Sequence, residues 1–230
     1  MNILLNYLED RHTEKEKPKE NKDPGPVITI SRQIGCSGKF LANKLADTLN
    51  KKLQQQNGPW RVISKEILEK SAKELELDPS QIEYVFKYEK KSAIDDILGA
   101  LSSKYYKSDR KIRNTIKKVI YSFGKEGHSI ILGRCGSSIT KNISRSLHIR
   151  LIAPFDWRVQ VIKKRFNLTT KKAKDYVVDI DKKRQELRNN LAGSKIDDTH
   201  YDLLINAKHF NHDEIADIIL ETMSIKGLYS

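Results

Sequence analysis

Val27-Ile28-Thr29-Ile30-Ser31-Arg32-Gln33-Ile34-Gly35-Cys36-Ser37-Gly38-Lys39 is the stretch whose reading decides the fold. Its first four residues are a β-branched run of the kind that forms a buried parallel strand. Beyond it, Leu41, Leu45 and Leu49 recur at helical spacing, with Ala42 and Ala46 small enough to pack closely on a sheet. A strand, a glycine-containing turn with a lysine, and a helix make an anion site: backbone N–H groups at the helix start point at the anion, and Lys39 adds a full charge.

Set against the phosphate-loop consensus G-x-x-x-x-G-K-[ST], Gly38-Lys39 matches the G-K pair. Gln33 stands where the first glycine belongs and Phe40 where the magnesium-binding hydroxyl belongs. The cofactor-binding residues expected here are Gly35, Cys36, Ser37, Gly38, Lys39 and Phe40. Glycine turns between strand and helix are also common without phosphate, so other parts of the chain must decide.

The 230 residues, 38% hydrophobic, suit one core-bearing domain with a tail. Lys and Arg outnumber Asp and Glu by 43 to 30, a formal charge of +13 that calls for an anionic partner. Nucleotide phosphates, nucleic acid and acidic membrane surfaces all qualify. The lysines are scattered over many helical segments, so nucleic-acid binding rests on net charge alone and is not the expected partner. Cys36 and Cys135 lack zinc-ligand spacing, which predicts a reducing compartment and idle buried thiols, although their number would allow one disulfide. No apolar run is long enough for a membrane helix and no signal-peptide pattern opens the chain, so the expected location is cytoplasmic with no membrane partner.

Residues 1–25 read as an arm and linker, with Ile3, Leu4, Tyr7 and Leu8 as a short amphipathic patch that either packs on a second copy, making a homodimer, or frays. Trp60 to Ile63 reads as a second strand, with Ser64 capping a helix that buries Ile67, Leu68 and Leu75. Residues 79–127 read as three or so helices, the last capped by Asp109 and burying Ile112, Ile116, Val119, Ile120 and Phe123. Ser129 to Leu132 is the third strand, closing on Gly133-Arg134-Cys135-Gly136. Leu147 to Ile152 is the fourth, followed by a helix with Phe155, Val159, Ile162 and Phe166 on its buried stripe and Arg158 off it. A charged helical pair spans Thr169 to about Leu191. Tyr201 to Asn206 is the fifth strand, and Asn211 with Glu214 forms a capping box for a final helix burying Ile215, Ile218, Ile219 and Met223. Alternating strands and helices predict an α/β fold with a parallel sheet and right-handed crossovers.

Strand ends of such a sheet deliver Lys39 and Arg134 to one crevice. Asp181, Arg184 and Arg188, spaced by three and four, share a helix face, either as local ion pairs on a solvated surface or with both guanidinium groups converging on one anion. Phosphoryl transfer needs such a set, because catalysis there is mainly positioning and charge stabilisation. His128, His148, His200, His209 and His212 show no metal-ligand spacing. Tyr105-Tyr106 between Lys104 and Lys107 either stack a base or pack in the fold.

Ile28-Thr29-Ile30-Ser31-Arg32-Gln33 with Gly35 and Gly38, Ile130 to Gly136, Leu151-Ile152-Ala153-Pro154 with Trp157-Arg158, Asp181-Lys182-Lys183-Arg184 and Tyr201 to Asn206 together resemble, in unbroken order, the cytidylate kinase-like family of P-loop nucleoside monophosphate kinases. The resemblance implies a three-layer P-loop NTPase fold over residues 26–230, with a five-stranded parallel sheet, a helical acceptor-binding insertion at about 78–127 and a helical lid at about 168–193. It implies ATP and Mg2+ as cofactors and a nucleoside monophosphate, CMP-like or other, as the acceptor. Lys39, Asp181, Arg184 and Arg188 would be the catalytic set, and Gly133, Arg134 and Arg158 would bind the substrate. In cytidylate kinases an aspartate follows the Gly-Arg pair; Cys135 replaces it here and offers no charged acceptor. The magnesium ligand is unassigned: Phe40 removes the usual hydroxyl and leaves Ser37, or phosphate oxygens and water, to hold the metal. The alternative function is a nucleotide-binding regulatory module with little or no kinase activity.

Overall fold

The computed structural model describes residues 25–52, 58–78 and 109–228. The arm over 1–24, Tyr105-Tyr106, most of the helical insertion and the side chains of Leu68 and Asp109 lie outside the described residues.

The strands are β1 (Val27–Arg32), β2 (Arg61–Ile63), β3 (Ser129–Leu132), β4 (Ser146–Ile152) and β5 (Leu203–Asn206). They form one five-stranded sheet in the order β2-β3-β1-β4-β5. Every pairing is parallel, with Ile30 opposite Leu132 on one side and Ile149 on the other. The helices are α1 (Gly38–Lys52), α2 (Lys65–Leu75), α3 (Asp109–Glu126), α4 (Gly136–Ile139), α5 (Phe155–Phe166), α6 (Thr170–Ala192) and α7 (His212–Ile225).

Period-2 alternation on the central strands feeds two cores. Ile28 and Ile30 meet Leu41 and Leu45 of α1 and Ile215 and Ile219 of α7 on one face. Val27 and Ile131 meet Ile116 and Ile120 of α3 and Leu187 and Leu191 of α6 on the other. The result is three layers, helix on sheet on helix. A third, smaller cluster joins Val159 and Ile162 of α5 to Ala173 and Val177 of α6, with Ile34 packed against it.

β1 occupies the centre because its first four residues are fully enclosed, and its central place puts the following loop at the middle of the sheet's carboxyl edge. The polar exceptions on β1 and β4 face one another: Thr29 Oγ1 and His148 Nδ1 are 2.9 Å apart and His148 Nε2 is 3.3 Å from Ser146 Oγ, so the buried ring is fully engaged by hydroxyls.

Three expectations are corrected. The charged segment after Thr169 is one continuous helix, Thr170–Ala192, capped by Thr169, whose hydroxyl accepts from Lys172 N–H. Ser64 makes no side-chain cap on α2; its N–H instead donates to Glu66 Oε2 at 2.8 Å. On α5, Phe155 and Phe166 are 39% and 49% exposed while Arg158 is 5% exposed, because the guanidinium finds carbonyl and carboxylate partners that a sequence stripe does not reveal. The Asn211–Glu214 capping box is present as expected.

Candidate active site

The segment between β1 and α1 is held from three sides. Gln33, at the consensus glycine position, donates its N–H to Leu151 O and accepts from Ala153 N–H through Oε1, both at 3.0 Å, tying the loop to the end of β4. Ile34 N–H donates to Asp181 Oδ1 at 2.9 Å, and Arg158 Nη1 reaches Asp181 Oδ2 at 2.5 Å and Ile34 O at 3.4 Å. Arg158 Nε also donates to Ala153 O. From α6, Arg184 Nη1 donates to Arg32 O at 3.1 Å. Gly35 has φ +96°, and a Cβ there would stand 3.1 Å from Arg158 Cβ, so both conformation and space call for glycine.

Two cavities open along the carboxyl edge. The larger, of about 630 Å3, is lined by the loop residues Gly35, Cys36, Ser37, Gly38, Lys39 and Phe40 together with Ile34, Asn43, Arg32, Arg165, Arg184 and His212. Arg165 Nη2 lies 3.4 Å from Ser37 Oγ. Phe40 is 59% exposed and meets the His212 ring edge-on at 4.7 Å. Burial pushes the Cys36 thiol up to about 11, so it stays protonated and is no nucleophile near neutral pH.

The smaller cavity, of about 240 Å3, lies beneath the end of β3 and is lined by Gly133, Arg134, Cys135, Gly136 and Ser137, with Ser31, Arg32, Arg184 and Arg188 among the facing residues. Gly133, Arg134 and Cys135 carry successive positive φ values of 73°, 55° and 60°, the last two in a region that non-glycine residues adopt at a cost. This bend directs the Cys135 thiol to Arg188 O at 3.4 Å, and burial raises its pKa. Arg188 pairs with Gln185, while its Nε is buried without a hydrogen bond among the described residues. Burial, with the Arg150 charge adding to it, pulls the Arg188 pKa below its ordinary value. A buried guanidinium with an unsatisfied N–H is set to gain from an anion. Arg32 and Arg184 line both cavities.

The structure therefore brings Lys39 and Arg184 to the larger cavity with the loop, and Gly133, Arg134, Arg184 and Arg188 to the smaller one. Asp181 and Arg158 line neither. Their paired charges tie the loop down instead: Asp181 also accepts from Ile34 N–H, and Arg158 also donates to Ala153 O and Ile34 O. Arg32 and Arg165 are cavity residues outside the site residues expected from sequence. Arg32 was legible in principle, as the last residue of the strand that delivers the loop. Arg165 carried no signal beyond a basic last turn of α5.

The family model described as "Cytidylate kinase-like family" matches residues 27–209, most of the chain. The chain belongs to the cytidylate kinase-like family. The match spans β1 through β5. Among solved structures, an uncharacterized protein from Eubacterium ventriosum shares the fold with TM-score 0.60 and 22% identity, covering 86% of this chain and 97% of that one. Shikimate kinase from Acinetobacter baumannii, in complex with shikimate, aligns with TM-score 0.47 and 14% identity over 92% of this chain and 100% of that one. A uronate isomerase from Corynebacterium glutamicum is 30% identical over 98 residues, 42% of this chain; the chain matches only 19% of that curated relative's length. Among the described residues no helix is long and apolar enough to cross a membrane.

Proposed function

We infer that this protein transfers the γ-phosphoryl group of ATP to a nucleoside monophosphate. The observation that carries the reading is the pair of cavities sharing Arg32 and Arg184, one beneath a glycine loop at a helix start and the other lined by Arg134 and Arg188. A donor phosphate in the first and an acceptor phosphate in the second would meet between those two guanidinium groups.

The residues lining the larger cavity fit a triphosphate. The loop offers backbone N–H groups of Gly35, Ser37, Lys39 and Phe40 at the α1 start, those of Cys36 and Gly38 being donated to Gln33 O and Cys36 O, and Arg32, Lys39, Arg165 and Arg184 supply four cationic side chains. ATP supplies the phosphoryl group and the leaving diphosphate. Magnesium fits less well: no carboxylate lines this cavity among the described residues, and its side-chain oxygens are the Ser37 hydroxyl and the Asn43 amide.

Arg134 and Arg188 hold the acceptor phosphate, Arg188 through the N–H that burial leaves unsatisfied. Arg184 stabilises charge on the group in transit, and α6 shields the crevice from water. Cys135, engaged by the α6 backbone, leaves the base of the acceptor to be read by other groups than the aspartate of cytidylate kinases.

A thermal-shift panel of nucleotides, followed by ADP-release kinetics with nucleoside monophosphates, tests this. ATP should raise the melting temperature, and Arg184→Met should lower kcat by roughly 10²–10³-fold while the fold melts within a few degrees of the wild type. ATP binding with no product from any acceptor would instead favour a nucleotide-binding regulatory module.

A further inference from the structure

Helix α1 begins at Gly38, so the residue at the mouth of the loop has no side chain, and Lys39 follows on an exposed position of the first turn. The space a side chain would take at Gly38 is filled from elsewhere. A Cβ on Gly38 would stand 3.2 Å from Arg32 Cδ and 3.4 Å from Arg32 Nε. Farther along the same side chain, Arg32 Nη1 lies 2.5 Å from where a Gly133 Cβ would be, and Gly133 opens the turn of the smaller cavity. The Arg32 side chain therefore runs from the loop of the larger cavity to the turn of the smaller one. Its carbonyl is held by Arg184 Nη1, which fixes its backbone between them.

In the phosphate-loop consensus the lysine of the helix's first turn reaches the β- and γ-phosphates. We propose that in this protein Arg32, reaching across Gly38 from the end of β1, supplies that central positive charge in place of Lys39, and contacts the phosphoryl group as it passes between the cavities. This rests on the phosphotransfer reading above. The glycines at 38 and 133 then have one shared reason: each leaves room for the same guanidinium. Lys39 contributes to the field at the larger cavity's rim, where an exposed charge is screened.

In the step Arg32 serves, an anionic oxygen of the acceptor phosphate forms the new P–O bond. The bond from the γ-phosphorus to the bridging oxygen breaks, and its electron pair stays on the ADP leaving group. No proton must be removed from an already ionised acceptor, and nothing is oxidised or reduced. What the step needs is positive charge shared between donor and acceptor, which a planar guanidinium spanning both loops supplies.

The test compares Arg32→Gln, Arg32→Lys and Lys39→Gln by steady-state kinetics, thermal melting and calorimetric titration with ATP and with ADP. Arg32→Gln should lower kcat by on the order of 10²–10³-fold. Lys39→Gln should raise the ATP KM a few-fold and lower kcat by less than about tenfold, as for an exposed charge. A kcat for Arg32→Gln at least ten times below that of Lys39→Gln supports the proposal, and any smaller gap overturns it. If Arg32→Gln does not fold, Arg32→Lys decides: a kcat below that of Lys39→Gln supports the proposal, and one equal or higher overturns it. If the wild-type protein turns over no acceptor, the phosphotransfer reading fails by itself. The assignment of Arg32 is then decided by affinity: loss of the preference for ATP over ADP in the Arg32 variant supports it, and a retained preference overturns it.

Discussion

Asp181 illustrates how a residue of the expected catalytic set acts as a brace. Its two oxygens hold the Ile34 N–H and the Arg158 guanidinium, and its side chain is 25% exposed against 6% for Arg158. Removing one partner of such a pair leaves the other charge buried and unpaired, the costlier half of a buried ion pair. Asp181→Ala should lower the unfolding free energy by roughly 2–4 kcal/mol in urea titrations. The double variant Asp181→Ala with Arg158→Met should recover part of that. If both variants are equally unstable, Asp181 is holding something other than Arg158.

His148 gives the pH dependence. Burial, only partly opposed by Asp202, lowers its pKa from 6.5 to about 4, so the native ring stays neutral between its hydroxyl partners while the unfolded ring takes up a proton. Its contribution is complete above about pH 6.5 and is lost as the pH falls toward 4. The loss should approach roughly 3 kcal/mol, read as the fall in unfolding free energy between pH 7 and 4. His148→Gln should show a flatter profile over that range; an equally steep one would remove His148 as the cause.

Among the elements, α6 connects the site to the core. Its C-terminal half is fixed by Leu187 and Leu191 in the larger core of that face. Gln185 Nε2 on Ile196 O at 3.0 Å and Asn189 Oδ1 accepting Ile196 N–H at 3.1 Å secure it further. Among the described residues, the apolar packing of its N-terminal half is the small cluster shared with α5. Amide hydrogen exchange should therefore run faster over 170–180 than over 185–191, so that any closing motion belongs to α5 with the first half of α6. Uniform protection along the helix would contradict this difference between its two halves.

The same element shows where sequence reading stops. Hydrophobic spacing and caps marked α1, α7 and all five strands within a residue or two, because those signals are local. Asp181 meets Ile34 across 147 positions, and Arg158 is buried by partners in the loop, the β4–α5 turn and α6, so a stripe read along α5 alone placed its two phenylalanines inside. The loop between β1 and α1 was legible as the turn between a strand and a helix. The Arg32 bridge was not, since it depends on the absence of side chains at Gly38 and Gly133 in two turns about a hundred residues apart.

For the molecule as a whole, a parallel sheet with β1 at its centre gathers Arg32, Arg134, Arg184 and Arg188 at one edge, and the net charge of +13 favours anionic partners. In the proposed reaction a donor and an acceptor phosphate meet at the wall the two cavities share. The most direct measurement is transfer of label from ATP carrying a radioactive γ-phosphate to each nucleoside monophosphate in turn, resolved by chromatography, with wild type and Arg184→Met side by side. Labelled nucleoside diphosphate is expected from at least one acceptor, with a loss of about 10²–10³-fold in that product's rate for the variant. Label that stays on ATP or appears only as inorganic phosphate, or a variant as fast as the wild type, would contradict it.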